Sequence, residues 1–226
     1  MVDKNILSKF CKISRNYYYR NPVNYEKILN GGNEMRHSEK LGKYKIIGFA
    51  KHMKRMINMF FFKKKIKKYK IIDDIQVFKL SDIDRNFKVK NKKLFSDKRI
   101  FPWIAKAYLI KKVLNESNYG DTIFWIDSDI RDISENGINN IFNLCNNSEK
   151  GIVGFHSDFW LERTFTKVDL LNYFDANKKP FLDSTQAYGN IFLLRKNDFT
   201  MNFFNKFLEV CSINNLMDYS PSKEKE

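Results

Sequence analysis

From Tyr44 to Cys211 the chain alternates short apolar runs with stretches whose apolar residues recur three and four apart. Tyr44–Phe49 reads as a strand. Across Lys51–Lys68, Met53, Met56, Ile57 and Phe60 fall at helical spacing, which predicts a helix. Ile75–Leu80 is strand-like. Pro102 suits the first turn of a helix, and Ile104, Ala107, Tyr108, Ile110 and Val113 continue it to about Leu114. Asn118–Asp121 is a turn. Thr122–Ile126 is apolar on both faces, as a central strand of a mostly parallel sheet must be. Helices are expected over Ile138–Leu144, Lys167–Phe174 and Phe199–Cys211, and strands over Gly151–Phe155 and Asn190–Leu194. Alternation of this kind predicts a three-layer α/β domain. Thr122–Ile126 belongs in the middle of its sheet, because Phe124 and Trp125 point to opposite faces and both need cover.

The ends read differently. Residues 1–40 form a partly irregular leader, punctuated by Tyr17-Tyr18-Tyr19, Asn21-Pro22 and Gly31-Gly32, with short helices near Ile6–Ile13 and Tyr25–Leu29. The domain is expected over 41–213. Residues 214–226, ending in Ser220-Pro-Ser-Lys-Glu-Lys-Glu226, read as a flexible tail. With 226 residues, 43% of them hydrophobic, one domain can bury its core unaided. Cys11, Cys145 and Cys211 are too few and too scattered for a disulfide framework or a structural zinc site, so a reducing, cytoplasmic setting is expected. Lys4, Lys9, Lys12 and Arg15 interrupt any secretory signal, and the charge-free run Met56–Phe62 is far too short to span a bilayer.

Charge narrows the partners. The net charge is +15, and between Lys40 and Lys70 there are eleven Lys and one Arg with no acid. An anionic partner is implied, unless the excess is drift in a chain rich in Lys, Asn, Ile and Phe. Met59-Phe-Phe-Phe-Lys-Lys-Lys-Ile-Lys-Lys-Tyr-Lys70 sets aromatic residues beside lysines. That suits an anionic bilayer surface or a phosphate backbone, or simply a solvated helix end.

Candidate chemistry gathers at Thr122-Ile-Phe-Trp-Ile-Asp-Ser-Asp129. A buried strand ends in two carboxylates spaced i, i+2, which project to one side of an extended chain. They would lie at the carboxyl end of a central strand, where open α/β sheets bind ligands. Paired carboxylates repel unless a cation joins them, and Mn²⁺ or Mg²⁺ favours carboxylate and phosphate oxygens. Asp127 and Asp129 are therefore the expected metal ligands. The same residues also serve as ordinary turn formers. Upstream, Lys106 sits near the middle of the otherwise mostly apolar stretch Arg99–Ile110, in the helix that feeds this strand. It can reach a diphosphate or one of these carboxylates, or it can lay its stem along the core edge with its ammonium in water.

Phe101-Pro-Trp-Ile-Ala-Lys106, a helix, then Gly120-Asp-Thr-Ile-Phe-Trp-Ile-Asp-Ser-Asp129 resembles the GT-A type nucleotide-sugar glycosyltransferases, nearest the capsule, lipopolysaccharide and glycogenin-like Asp-x-Asp enzymes. Gly151-Ile-Val-Gly-Phe155, Phe165-Thr-Lys-Val-Asp169 and Ser184–Lys196 extend the likeness in order, over about 42–212. The resemblance implies a Rossmann-like mixed sheet with helices on both faces and a Mn²⁺ or Mg²⁺ ion on Asp127 and Asp129. It implies a donor nucleotide sugar held by Phe49, Ala50, Trp103, Lys106, Asp127, Gln186 and Asn190. A glycan or lipid-linked acceptor would be activated or steadied by Asp183 or Asp158, as in polysaccharide biosynthesis. A later His or His-x-x-Asp-Gln element, common in such enzymes, does not follow Asn214, so the site reads as incomplete or the domain as cut short. His156 follows a strand and is either a ligand or a structural residue.

Metal-dependent sugar transfer is thus the leading expectation, with nucleic acid not expected as a partner and a peripheral contact at the inner membrane face in keeping with the charge. The alternative is a non-catalytic basic module that binds an anionic membrane or polymer. A two-metal nuclease or phosphohydrolase lacks the further Asp, His and Glu cluster it would need.

Overall fold

The computed structural model describes residues 39–128 and 133–222, without the side chains of 157–159. The expected leader helices, Asp129 and the Asp158 side chain lie outside the described residues. Five strands form one mixed sheet: β1 (Tyr44–Phe49), β2 (Asp74–Phe78), β3 (Thr122–Ile126), β4 (Ile152–Leu161) and β5 (Thr185–Arg195). Their order is β2-β1-β3-β5-β4, with β1 parallel to both neighbours and β5 antiparallel to β3 and β4. The longer helices are α1 (Met53–Ile66), α4 (Phe101–Glu116), α5 (Glu135–Asn147) and α8 (Asp198–Cys211). Shorter ones are α2 (Arg85–Lys90), α3 (Lys92–Ser96), α6 (Glu162–Phe165), α7 (Val168–Tyr173) and α9 (Asn214–Met217).

The strand alternation sorts the core into two halves. Ile46, Phe124, Ile126, Ile191 and Leu193 face α1 and α5, against Met59, Phe62, Ile66, Ile138, Ile141 and Phe142. Ile47, Ile123, Trp125 and Leu194 face α4 and α8, against Ala105, Leu109, Ile110, Val113, Phe203 and Phe204. The molecule is therefore a three-layer, Rossmann-like α/β sandwich. β3 is its central strand and all five of its residues are buried. Burying Phe124 and Trp125 stabilises the fold by about 2–3 kcal/mol each. Cys145 and Cys211 are core residues too, and burial pushes both thiols up to about 12. No helix among the described residues is long and apolar enough to cross a membrane.

The elements differ from expectation at their margins. β4 runs to Leu161 and β5 starts at Thr185, so both outreach the predicted strands. These extensions project past β3 and pair chiefly with each other, so they lack the apolar face that marks a core strand. Leu80 begins a 3₁₀ turn instead of ending β2. The stretch before α4, without an expected element, holds α2 and α3; the Asp84 carboxylate caps α2 by accepting from Phe87 N at 2.8 Å. Downstream of Asn214, where a flexible tail is expected, α9 buries Leu216, and Lys167 Nζ meets Asp218 Oδ1 at 2.9 Å.

One buried carboxylate ties the amino ends of β1 and β3 together. Asp121, 4% exposed at its side chain, pairs with Lys45 Nζ at 2.9 Å. It also accepts from the backbone N–H of Lys43 at 2.9 Å and of Asn118 at 3.0 Å. Gly120, at φ 88°, makes the turn that presents it. Burial by itself would raise the Asp121 carboxyl, but these hydrogen bonds outweigh it and hold the group below the ordinary carboxylate range. Stability from Asp121 is therefore complete above the ordinary carboxylate pKa and is lost as pH falls through the lowered folded value. Asp121→Ala is expected to cost about 3 kcal/mol in denaturant unfolding at neutral pH, because it strands Lys45 and two amides. That difference should shrink in strong acid; a gap unchanged by acid would show that the carboxylate's charge is not what matters.

Candidate functional site at the carboxyl end of β3

β1 and β3 are parallel, so Phe49, Ala50 and Asp127 reach the same edge of the sheet. α4 precedes β3 and runs back across it, which sets the amino-terminal half of α4, with Trp103 and Lys106, over that edge. On the other side of β3, β5 delivers Gly189 and Asn190. Asp127 N donates to Asn190 O at 2.8 Å, which carries the β3–β5 pairing one step beyond Ile126. Between β4 and β5, Gly154 pairs with Phe192 and His156 with Ala187, so two steps along β4 face five along β5. The excess is a bulge over residues 188–191, a device that re-aims side chains beside a site.

Lys106 is the centre of this constellation. Its side chain is only 7% exposed, and Nζ lies 3.0 Å from Asp127 Oδ1 and 3.4 Å from Oδ2. Nζ also donates to Gly189 O and stands over the rings of Trp103 and Trp125, 4.9 and 5.2 Å from their centroids. Trp125 Nε1 donates to Asp127 Oδ1 at 2.7 Å. Trp125 and Asp127 are i, i+2 on an extended chain, so they face the same layer as Lys106. The sequence reading did not extract that relation, although the spacing carries it. Gly189 leaves room for the Trp103 ring: a Cβ there would sit 2.8 Å from it, and the ring would have to shift.

Asp127 is itself 34% exposed at its side chain, so the pair opens to solvent on the carboxylate side. A carboxylate offers about four lone-pair directions. Trp125 and Lys106 crowd Oδ1, while Oδ2, 3.4 Å from the same ammonium, is the oxygen left with capacity toward the open side, the one a divalent ion would use. Asp129, the other expected ligand, is outside the described residues. β3 ends at Ile126 and Ser128 lies in a turn, so the extended geometry behind the expected convergence of the two carboxylates stops at Asp127. Among the described residues, three or more His, Cys, Asp or Glu do not gather into a metal-binding group.

The other expected donor and acceptor residues are dispersed around this centre. Phe49 is buried edge-on against Phe101, 6.2 Å between centroids, so its ring belongs to the core and does not face a nucleotide. Ala50 is buried and its N–H is spent on Phe78 O at 2.9 Å. Trp103 is exposed, with its ring over Lys106. Asn190 Oδ1 is buried, and no protein group in the description donates to it. Gln186 Nε2 donates to Thr166 Oγ1 at 2.9 Å and to Glu162 Oε2 at 3.4 Å, which ties β5 to α6 rather than to Asp127. Asp183 is exposed and engaged with Arg163. His156 Nδ1 lies 2.9 Å from Thr185 O, within the β4–β5 arm. That arm also holds Trp160, exposed and 6.0 Å from the Tyr188 ring, a pair the sequence reading passed over for want of any periodic signal.

Removing the Lys106 ammonium takes a donor from the Gly189 carbonyl and leaves Asp127 with the Trp125 indole N–H as its side-chain partner. Lys106→Ala is expected to cost about 2 kcal/mol, since the lysine is buried and only its partner is wet. A double-mutant cycle of Lys106→Met with Asp127→Asn, read by denaturant unfolding, should give a coupling of about 1 kcal/mol or more. Simple additivity would show that the contact carries no energy.

No protein-family model matches the chain, and no curated protein matches it in sequence, so its function rests on the site itself.

Proposed function

We propose that this protein is a metal-dependent glycosyltransferase of the GT-A type, using a nucleotide-sugar donor. The observation that carries this reading is the buried Lys106 held against Asp127 at the open carboxyl end of the central strand. A cation fixed beside a carboxylate in a partly desolvated cleft suits a ligand that bears both phosphate oxygens and a metal. The mixed sheet with helices on both faces agrees with the fold that the Asp-x-Asp resemblance implies.

Asp127 and Asp129 would hold a Mn²⁺ or Mg²⁺ ion, which supplies Lewis-acid neutralisation of the charge on a leaving nucleoside diphosphate. Lys106 fixes the Asp127 carboxylate and adds positive potential at the same edge. Trp125, by its Nε1–H, sets the rotation of that carboxylate. The bulge at 188–191 brings the β5 backbone to the end of β3, and Asn190 Oδ1, buried and without a donor among the described residues, would accept from a sugar hydroxyl once opened to the cleft. Exposed Trp103 offers an apolar face at the mouth.

The test is thermal unfolding with nucleoside diphosphates and nucleotide sugars, with and without Mn²⁺. At a hundredfold excess over Kd, a true donor stabilises by about 2.7 kcal/mol, which raises Tm by roughly 5–10 °C in a chain of this size. Asp129→Ala should abolish the Mn²⁺-dependent part of the shift and Asp127→Asn should reduce it. Shifts that ignore the metal, or survive in Asp129→Ala, would place any nucleotide site elsewhere.

A further inference from the structure

α1 is two-sided, and both sides are apolar. Met59, Phe62 and Ile66 are buried against the sheet. On the opposite face Met53, Ile57, Phe60 and Phe61 are 69%, 50%, 63% and 63% exposed. Their spacing, i, i+4, i+7 and i+8, makes one continuous stripe on a helix that turns ~100° per residue. Lys64 follows on the same stripe, and Lys63, Lys65, Lys67, Lys68 and Lys70 are exposed around the carboxyl end of the helix. The helix holds no acidic residue. A solvated surface helix has no use for two adjacent exposed phenylalanines, and a core helix has none for the lysine cluster.

We propose that this outer face of α1 docks on the surface of an anionic lipid bilayer. Phe60, Phe61, Ile57 and Met53 would enter the boundary between headgroups and acyl chains, while the lysines meet lipid phosphates. Interfacial helices combine those features: a bulky apolar stripe, a basic flank and a length that lies along the surface without crossing. Charge complementarity selects the occupant. An acidic protein surface would satisfy the lysines but give Phe60 and Phe61 nothing apolar to enter, and a nucleic acid would engage them only by stacking, without burying Met53 and Ile57. The core packs on the other side of α1, so docking needs no rearrangement of the fold. The proposal is independent of the sugar-transfer reading.

Co-sedimentation with vesicles tests it, using phosphatidylcholine alone and phosphatidylcholine mixed with phosphatidylglycerol. The wild-type chain should bind the anionic vesicles and leave the neutral ones in the supernatant. Phe60→Ser with Phe61→Ser should weaken binding about tenfold or more, with Tm unchanged because neither ring is in the core. Lys64→Gln, Lys67→Gln and Lys68→Gln should each weaken it roughly fivefold, and added salt should act in the same direction. Three results overturn the idea. One is absence of binding to the anionic vesicles. Another is binding that the phenylalanine variant leaves intact, with RNA bound as tightly, which marks a general polyanion surface. The last is a dimer that the phenylalanine variant dissolves while vesicles go unbound, which marks self-association.

Discussion

A strand buried on both faces must end somewhere, and at its carboxyl end the chain here exposes a carboxylate to a partly desolvated edge. Lys106 answers that constraint. Its stem threads the α4 layer and its ammonium meets Asp127, the Gly189 carbonyl and two indole faces. Several otherwise unrelated features depend on this contact. α4 has to cross the sheet at a height that brings its second turn over β3. β5 has to bulge so that its backbone carbonyl, rather than a side chain, closes the shell. Gly189, without a Cβ, lets the Trp103 ring lie against β5 where it stands.

The two ends of β3 carry the same pair of residue types with different consequences. At the amino end, Asp121 is enclosed by Lys45 and two backbone amides, and every donor it meets is spent on holding strands together. At the carboxyl end, Asp127 keeps a third of its side chain in solvent while its lysine is sealed. An enclosed ion pair with all its hydrogen bonds satisfied is a clamp. One that is sealed on the cation side and open on the anion side presents unspent acceptor capacity to whatever enters the cleft. That contrast within one strand is the strongest physical argument that the carboxyl end is the working end.

Much of this was legible in the sequence, and what was not has identifiable causes. β3 could be bounded to the residue because Thr122 and four consecutive apolar residues, Ile123 to Ile126, lie between the Gly120-Asp121 turn and Asp127. The helices were found wherever an apolar stripe had to pack. The β4–β5 arm was read short because Gln186, Ala187 and Tyr188 pair across a ladder with no core beneath it, so period-two alternation has no reason to persist. α2 and α3 were invisible because each is anchored by one or two apolar residues, Phe87 and Leu94, in Lys-rich surroundings. At the site, a lysine in an apolar helix advertised itself, but its depth did not. Phe49 illustrates the converse. Its position at a strand end suggested contact with a ligand, whereas the approach of α4 places Phe101 against it.

The remaining asymmetry lies between the two helices that cover the first face of the sheet. α5 buries most of its residues, including three asparagines, because it sits over β5 and β3 in the middle of the molecule. α1 lies over β1 and the edge strand β2, where only one stripe of a helix can find cover. Geometry would let every other position of α1 be polar without cost to the core. Its outer face instead carries four large apolar residues and then a run of lysines. Packing among the described residues does not require that pattern, and the proposed docking surface would account for it. The segment that looked like a uniform aromatic run, Phe60-Phe61-Phe62, is in fact divided by the helix. Phe62 serves the fold, and its two neighbours stand outward, where the proposed anionic bilayer surface would meet them.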